Sequence, residues 1–335
     1  MGESISGLHA RPDPWSIQET DFAKAKHFKW VLIPLYSYNG YASWISKQKA
    51  LCRRYEAMGL KIVYRLCSSG WQKPADYVAE WLPVLDGLPP GPVQMDNEPN
   101  NDVENFGGSS DLVARLYNEY WLARRNLFKA ARPDLLLGFP GLAVAQRDMD
   151  WLTICHDAIV YADFLGCHVY WQYENWGGPI WGMRYLLYHA AFPNKDIYIT
   201  EYGDSTPGRS SYEKAIRYRK WLGLQPQKAR VKVACVFLAS SPDPTWAEFE
   251  LTEEDCVSIN QQEGENVPKL ENAFAVFAYN PEVGGAVSEQ IDLARSEDGT
   301  VLAAIQRTEK GVCVYVCGSE PCFVGQTLPK VIASH

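Results

Sequence analysis

The chain has 335 residues, of which 47% are hydrophobic and 21% are charged, a composition typical of a globular protein with a large apolar core. Its net charge is −8 and no basic stripe is visible, so a nucleic-acid partner is not expected. No run approaches the roughly 18 uninterrupted apolar residues of a membrane-spanning helix, so a membrane partner is not expected either.

The first residues, MGESISGLHARPDP, lack the basic segment and apolar run that are typical of a secretory signal peptide. The default expectation is therefore a cytoplasmic protein, and secretion or release by a non-classical route stays open as the alternative. The nine cysteines are scattered through the predicted strands and helices, and their odd number favours reduced thiols over a disulfide framework.

Short apolar runs alternate with amphipathic stretches along most of the chain. The apolar runs predict strands at 4–10, 29–37, 60–67, 91–96, 134–141, 162–171, 195–203 and 231–240. The amphipathic stretches predict helices at 16–28, 42–59, 74–85, 111–131, 149–158, 177–191, 210–223 and 269–279. Ser16 is the expected N-cap of the first helix. The helix over 111–131 is the clearest, because apolar residues recur every three to four positions at Leu112, Leu116, Tyr120, Ala123 and Leu127. The segment 241–268 is expected to be an unusually long loop.

This alternation predicts an α/β fold, a (β/α)8 TIM barrel over residues 1–280, because continuously apolar strands are typical of a parallel sheet buried on both faces. A doubly wound open sheet is the rival, but no G-x-G-x-x-G follows the first strand. After residue 280 the pattern changes to short β runs separated by glycines. It predicts a small β-rich appendage over 281–335, whose cadence faintly resembles bacterial SH3-like modules.

Two glutamates stand where predicted strands end. The segment VQMDNEPN (93–100) ends strand four and contains Glu98, and YITEYG ends strand seven and contains Glu201. In a (β/α)8 barrel the carboxyl ends of the strands form the active site, so both carboxyl groups are expected at one barrel mouth. Retaining glycoside hydrolases use two carboxyl groups about 5–5.5 Å apart, one as the general acid/base and one as the nucleophile. Asp96 is assigned no catalytic role and is a candidate for orienting its neighbours.

These segments resemble the clan A retaining glycoside hydrolases. DNEPN is similar to their Asn-Glu-Pro signature on strand four, and ITEYG is similar to their strand-seven nucleophile segment. On strand six, GCHVYW is similar to the His-x-Tyr of the cellulase-like members. The resemblance spans about residues 4–280. It implies that Glu98 is the general acid/base and that Glu201 is the nucleophile.

The resemblance also implies roles for neighbouring residues. Asn97 would bond the sugar 2-hydroxyl, Tyr170 would hold an oxygen of the nucleophile, and His168 would contact the substrate or a carboxylate. Arg65, near the end of strand three, is the candidate for the arginine that keeps the nucleophile ionised; simple pairing with a buried carboxylate is the alternative. In the cellulase-like members this arginine comes from strand two, where the present chain has Tyr36 instead.

Aromatic residues suggest a rim on which sugar rings stack, because sugars present apolar C–H faces to indole rings. Trp171 and Trp176 lie in and after strand six, and Trp246 follows strand eight, where the resembling clan has a tryptophan platform. Tyr36 belongs to a second aromatic group after strand two, and His9 ends strand one as a further candidate to line the cleft. Core packing is the alternative for each of them.

The sequence therefore predicts a retaining glycoside hydrolase that cleaves a β-linked polysaccharide or oligosaccharide with two glutamates. No cofactor and no metal are expected. One alternative is a carbohydrate-binding barrel without catalysis, and another is a glycosidase that lyses cell walls. The sugar, the linkage and the oligomeric state are left open.

Overall fold

The computed structural model describes residues 4–37, 42–68, 70–104, 106–144, 146–173, 175–178, 180–223 and 230–260, and the backbone of 291–295, 301–308, 311–316 and 322–324. Eight parallel strands form a closed barrel in chain order, with β1 paired to both β2 and β8. The predicted (β/α)8 fold is therefore confirmed. The strands are β1 (Ser6–His9), β2 (Trp30–Leu35), β3 (Lys61–Leu66), β4 (Val93–Met95), β5 (Leu137–Phe139), β6 (Phe164–Trp171), β7 (Ile197–Asp204) and β8 (Val231–Val236).

Helices connect successive strands and follow the last one. They are α1 (Glu19–Ala25), α2 (Ala42–Ala57), α3 (Pro74–Leu85), α4 (Asp111–Ala131), α5 (Asp148–Ile154), α6 (His156–Tyr161), α7 (Tyr185–Ala191), α8 (Ser211–Gly223) and α9 (Glu253–Asn260). Both α5 and α6 lie between β5 and β6, where the sequence predicts a single short helix. None of the helices in the described ranges combines the length and apolar character that crossing a membrane requires.

The strands are buried on both faces, which explains their continuously apolar sequences. Inside the barrel a small cluster contains Leu32, Val63, Val233 and Cys235, with Tyr198 packed against it. Alternate residues point outward into a much larger core that also contains the apolar faces of the helices. This alternation decides which strand residues can reach the barrel mouth.

The helix α4 forms as predicted but buries a different face. Of the residues whose spacing predicts the helix, Tyr120 is buried, whereas Leu112, Leu116, Ala123 and Leu127 are exposed. Tyr117 and Trp121 are buried instead, in a row with smaller and charged residues of the same helix. The larger aromatic side chains offer more apolar area to bury, so they face the core and the leucines face solvent.

The first helix begins later than predicted. Its N-cap is Gln18, whose backbone N–H donates a hydrogen bond to Asp21 Oδ2 at 2.8 Å. Ser16 is not the cap, because its hydroxyl donates to Asp13 Oδ2 at 2.6 Å instead.

The expectation of a long loop after β8 is wrong for residues up to 260. A 3-10 helix, Pro244–Phe249, and α9 both lie in this segment. The helix predicted over 269–279 lies outside the described residues.

A four-stranded antiparallel sheet lies near the C-terminus. Its strands are β9 (Ile291–Arg295), β10 (Val301–Thr308), β11 (Gly311–Val316) and β12 (Cys322–Val324), in the spatial order β12-β11-β10-β9. The β character predicted for this part of the chain is present in these backbone segments. The division at residue 280 and the SH3-like resemblance stay predictions.

Candidate active site

A cleft of about 810 Å³ opens at the carboxyl ends of the barrel strands. Most of the residues proposed from the sequence line it. They are His9, Tyr36, Arg65, Asn97, Glu98, Tyr170, Glu201 and Trp246. His168 lies beneath the cleft, fully buried, and contacts both glutamates.

Glu98 stands in an unusual backbone conformation directly after β4. Both Asp96 and Glu98 have positive φ, 67° and 34°, a region that residues other than glycine seldom adopt. The backbone N–H of Glu98 donates to the carbonyl of Gly141 at 3.0 Å, which ties the turn to the end of β5. Asn101 Nδ2 donates to Glu98 Oε2 at 3.0 Å. Surrounding bonds thus hold a strained turn that places the carboxylate at the mouth.

Asp96 anchors this turn from below. Its carboxylate is fully buried and is paired with Arg124 of α4. Tyr117 donates to Asp96 Oδ2 at 2.7 Å, and Ser68 and Tyr77 donate to Oδ1 at 2.7 and 3.2 Å. This network satisfies a buried charge and fixes the turn that carries Glu98, in keeping with the orienting position considered for Asp96.

Glu201 reaches the mouth through an irregularity in β7. The pairing of β6 with β7 runs from Cys167 opposite Ile199 directly to His168 opposite Glu201, so one residue of β7 has no partner. Such a bulge turns the following side chain to the other face of the strand. Glu201 therefore points into the cleft, where it is only 6% exposed.

Three side chains hold the Glu201 carboxylate. Arg65 donates from Nη1 to Oε1, and Tyr170 donates its hydroxyl to Oε2 at 2.7 Å. His168 Nδ1 lies 3.6 Å from Oε2. Both oxygens of Glu201 thus accept hydrogen bonds, one of them charge-assisted.

Arg65 also fixes two histidines. A guanidinium only donates hydrogen bonds, so His9 Nε2 and His168 Nε2, each 3.2 Å from an Arg65 nitrogen, must accept. The ring proton of each histidine then lies on Nδ1. His9 donates it to the carbonyl of Ala10 at 2.7 Å, and His168 donates it to Glu98 Oε1 at 2.7 Å.

The electrostatics separate the ionised groups from the neutral ones. Burial alone would raise the pKa of Glu201, but the Arg65 charge and the hydrogen bond from the Tyr170 hydroxyl hold this pKa well below its usual range. Burial and the Arg65 charge lower the pKa of His9 to about 3. At neutral pH, Glu201 is therefore ionised and His9 is neutral.

The two glutamates are close together. One oxygen of Glu98, one oxygen of Glu201 and a nitrogen of His168 all lie within 4.8 Å of one another. This is also the set of side chains, among the described residues, that could surround a metal ion. The guanidinium of Arg65 already contacts Glu201 and His168, however, and its positive charge would repel a metal cation bound to the same side chains.

Some of the proposed aromatic residues line the cleft, and others are buried in the hydrophobic core. Trp246, on the 3-10 helix after β8, lines the cleft, is 43% exposed and meets Phe237 edge-on at 5.4 Å. Trp171 is fully buried, in a stack with Tyr202 and Trp221, so the expectation of a sugar platform there is wrong. Trp176 packs against the hydrophobic core and is not among the residues that line the cleft. The aromatic rim is therefore narrower than the sequence suggests.

The structure adds cleft residues that the sequence analysis overlooked. Phe237 and Phe249 form the wall beside Trp246, and Glu80 and Glu104 contribute two further carboxylates. Glu80 lies on a helix and Glu104 on a short 3-10 turn, so neither follows a strand. The positions of strand ends therefore do not predict either residue.

Comparisons with known proteins find similarity in structure. No protein-family model matches the chain, and no curated protein sequence matches it. A GH128 subgroup II endo-β-1,3-glucanase from Sorangium cellulosum superimposes with a TM-score of 0.53 at 16% identity, over 78% of this chain and 100% of that one. The chain has the fold of the TIM-barrel glycoside hydrolases of clan A.

Two further solved structures agree with this. An endo-1,4-β-mannanase from Rhizomucor miehei gives a TM-score of 0.52 at 13% identity, covering 76% of this chain and 92% of that one. A GH39 enzyme from Xanthomonas axonopodis pv. citri gives 0.51 at 14% identity, covering 75% and 60%. The resemblance found in the strand-end motifs is thus confirmed at the level of the fold.

Proposed function

We propose that the protein is a retaining glycoside hydrolase that cleaves β-linked oligosaccharides or polysaccharides. The observation that carries the proposal is the pair of carboxylates, Glu98 and Glu201, with oxygens within 4.8 Å across one cleft. These nearest oxygens are closer than the about 6.5–9.5 Å that inverting enzymes keep between their carboxyl groups to leave room for a water. The short separation therefore supports a covalent intermediate.

Glu201 is the nucleophile in this proposal. It is ionised because Arg65 and Tyr170 stabilise its negative charge, so an oxygen can attack the anomeric carbon of the sugar. As the new C–O bond forms, the glycosidic C–O bond breaks. Glu98 gives its proton to the departing oxygen, so the leaving group departs as a neutral alcohol.

The second step reverses these roles. Glu98, now a carboxylate, takes a proton from a water molecule, and the water oxygen attacks the anomeric carbon. The bond to Glu201 breaks and restores its carboxylate, which Arg65 stabilises again. Two inversions at one carbon give a product with the anomeric configuration of the substrate.

Neighbouring groups orient this pair. The Nδ1 proton of His168 fixes one oxygen of Glu98, and Asn101 fixes the other. Asn97 donates one N–H to Glu104 at 2.8 Å, and an amide nitrogen carries two, so the second N–H can serve the sugar 2-hydroxyl. Trp246 offers the exposed aromatic face on which a ring can stack.

A glycan panel with product analysis tests the proposal. It should begin with β-1,3-glucan and β-1,4-mannan oligosaccharides, since a glucanase and a mannanase share the fold. We expect hydrolysis whose first product, followed by NMR at its anomeric proton, keeps the β configuration. A first product with the inverted configuration would exclude Glu201 as nucleophile. Binding without hydrolysis would favour the carbohydrate-binding alternative.

Variants separate the two roles. Glu98→Ala should retain its first step best on substrates with good leaving groups, with azide restoring turnover and giving a β-glycosyl azide. Glu201→Ala should lose both steps for every leaving group, and azide should give the α-glycosyl azide. General acid–base catalysis contributes about 10²–10⁴-fold, so the effect of Glu98→Ala should be large and graded. Equal losses for every leaving group in Glu98→Ala would contradict its role as the acid.

A further inference from the structure

The cleft contains a carboxylate for which the proposed mechanism has no use. Glu104 ends a 3-10 helix, Asp102–Glu104, in the segment between β4 and α4. Its side chain lines the same cleft as Glu98 and Glu201, and it is partly buried. A partly buried charge costs free energy, so its position next to the reacting pair calls for a functional reason.

Hydrogen bonds fix one oxygen of Glu104 and leave the other open. Asn97 Nδ2 donates to Oε1 at 2.8 Å. No described residue donates a hydrogen bond to Oε2. The backbone holds the turn in place, because Asn101 N–H donates to the carbonyl of Glu98 at 2.8 Å and Glu104 N–H donates to the carbonyl of Asn101 at 3.2 Å. The open oxygen is therefore presented from a defined position.

We propose that Glu104 is a specificity-determining residue, whose open oxygen accepts a hydrogen bond from a donor group of the sugar, a hydroxyl or an ammonium, beside the cleaved bond. This inference rests on the proposed glycosidase function and names the chemistry of its substrate. A carboxylate that accepts from such a donor orients the ring next to Glu98 and Glu201. It also repels a sugar that carries a carboxylate or a sulfate at this position.

The charge of the whole cleft supports the same preference. Glu80, Glu98, Glu104 and Glu201 line it, and Arg65 is the one lysine or arginine among the described lining residues. Arg65 is already bound to Glu201 and is not available to an anionic substrate. With Glu98 protonated as the acid, Glu80, Glu104 and Glu201 still outnumber Arg65, and a cleft with this excess of negative charge favours neutral or cationic saccharides over anionic ones.

The protonation of Glu104 gives the proposal a second, independent readout. Burial raises the pKa of Glu104 to about 6; the Asn97 hydrogen bond and the Arg65 charge oppose this, and the charges of Glu98 and Glu201 add to it. A group with a raised pKa is protonated below that value, and it then loses its charge and much of its strength as an acceptor. The KM for a substrate held by Glu104 should therefore rise as the pH falls through about 6.

The experiment compares the full-length wild type with Glu104→Gln on a neutral β-linked oligosaccharide and on its counterpart with a free amine. The glutamine keeps an oxygen for Asn97 but replaces the open acceptor by an N–H donor. We expect KM to rise by about ten-fold or more, the size of a hydrogen bond to a charged group, with kcat less affected. The rise of KM as the pH falls from 7 to 5 should be smaller in Glu104→Gln than in the wild type. Asp102→Asn, an exposed change on the same 3-10 helix, should alter neither quantity.

The outcomes decide the proposal in either direction. A larger effect on the amine substrate identifies an ammonium as the preferred donor, and an equal effect identifies a hydroxyl. Unchanged KM and pH dependence in a folded Glu104→Gln, or a wild type that prefers sugars with a carboxylate or sulfate, would overturn it. If the wild type hydrolyses nothing, the glycosidase proposal fails separately, and calorimetric titration of both proteins with the same oligosaccharides decides whether Glu104 binds a donor. In that titration, equal affinities of the wild type and Glu104→Gln, or no binding by either protein, would refute the proposed role of Glu104.

Discussion

Replacing Arg65 by methionine removes a charge on which the geometry of the cleft depends. Arg65 and Glu201 are 3% and 6% exposed, and the guanidinium also contacts His9 and His168. Removing one partner of such a buried ion pair leaves the other charge uncompensated and costs about 3–5 kcal/mol. In a domain of this size a loss of 1 kcal/mol lowers Tm by about 2–4 °C, so Tm should fall by about 6 °C or more at pH 7.

The pH dependence of this loss identifies its cause. In the wild type the pKa of Glu201 is below its unfolded value of about 4.3, so the ionised carboxylate stabilises the fold above that pH and the effect is lost as the pH falls through the folded pKa. Without Arg65 the positive charge bound to Glu201 is gone and its burial remains, so we expect this pKa to rise. The ionised carboxylate should then stabilise the variant less than the wild type, so the stability of the variant should fall further below that of the wild type as the pH rises above about 4.3.

Thermal unfolding of both proteins at pH 4 and pH 7 measures this difference. The difference in Tm between the wild type and Arg65→Met should be large at pH 7 and smaller at pH 4. Activity of Arg65→Met should be low at pH 7 and recover in part at higher pH, because Glu201 must be ionised to attack. Arg53→Met is the matched control, since Arg53 is exposed and its side chain bonds the carbonyl of Gly87. A difference in Tm of the same size at both pH values would show that the loss of stability does not come from the charge of Glu201.

Other substitutions test the remaining parts of the site. Trp246→Ala should weaken oligosaccharide binding by about 1–3 kcal/mol with Tm little changed, and unchanged KM would remove it as a platform. Trp171→Ala should instead destabilise the fold by about 3–5 kcal/mol in denaturant unfolding, since that side chain is fully buried. Gly141→Ala would place a methyl group 2.2 Å from His168 Cδ2, so kcat should fall together with a stability loss of about 1–3 kcal/mol. Normal kcat in Gly141→Ala would show that the position of His168 tolerates change.

Much of the site follows from the strand pattern alone. The carboxyl ends of parallel barrel strands share one mouth, so Arg65, Glu98 and Tyr170 meet there although they are distant in sequence. Strand alternation also explains the error at Trp171. His168 and Tyr170 occupy alternate positions of β6 that face the barrel, and Trp171 has the opposite parity, so it must face the helices. Counting positions along β6 would have excluded it.

Glu104 could not be found in this way. It lies on a short 3-10 turn, and the hydrogen bond from Asn97 that fixes it joins two side chains within one loop. No periodicity describes such a turn, because its conformation depends on the positive φ values at Asp96 and Glu98. Asp96 itself is paired with Arg124 from α4, which is distant in sequence. The position of Glu104 is thus a tertiary property.

Glu201 is the residue for which local pattern and structure disagree most. In β7, Tyr198 packs into the barrel interior, whereas Ile197 and Ile199 face the outer core. Strict alternation would therefore turn Glu201 outward, among the helices, where an ionised carboxylate could not be tolerated. The bulge before Glu201 resets the parity, and Tyr202 returns to the outer core directly after it. A single unpaired residue, Thr200, thus converts an outward position into one that faces the cleft, and the negative charge finds its partner in Arg65 of β3.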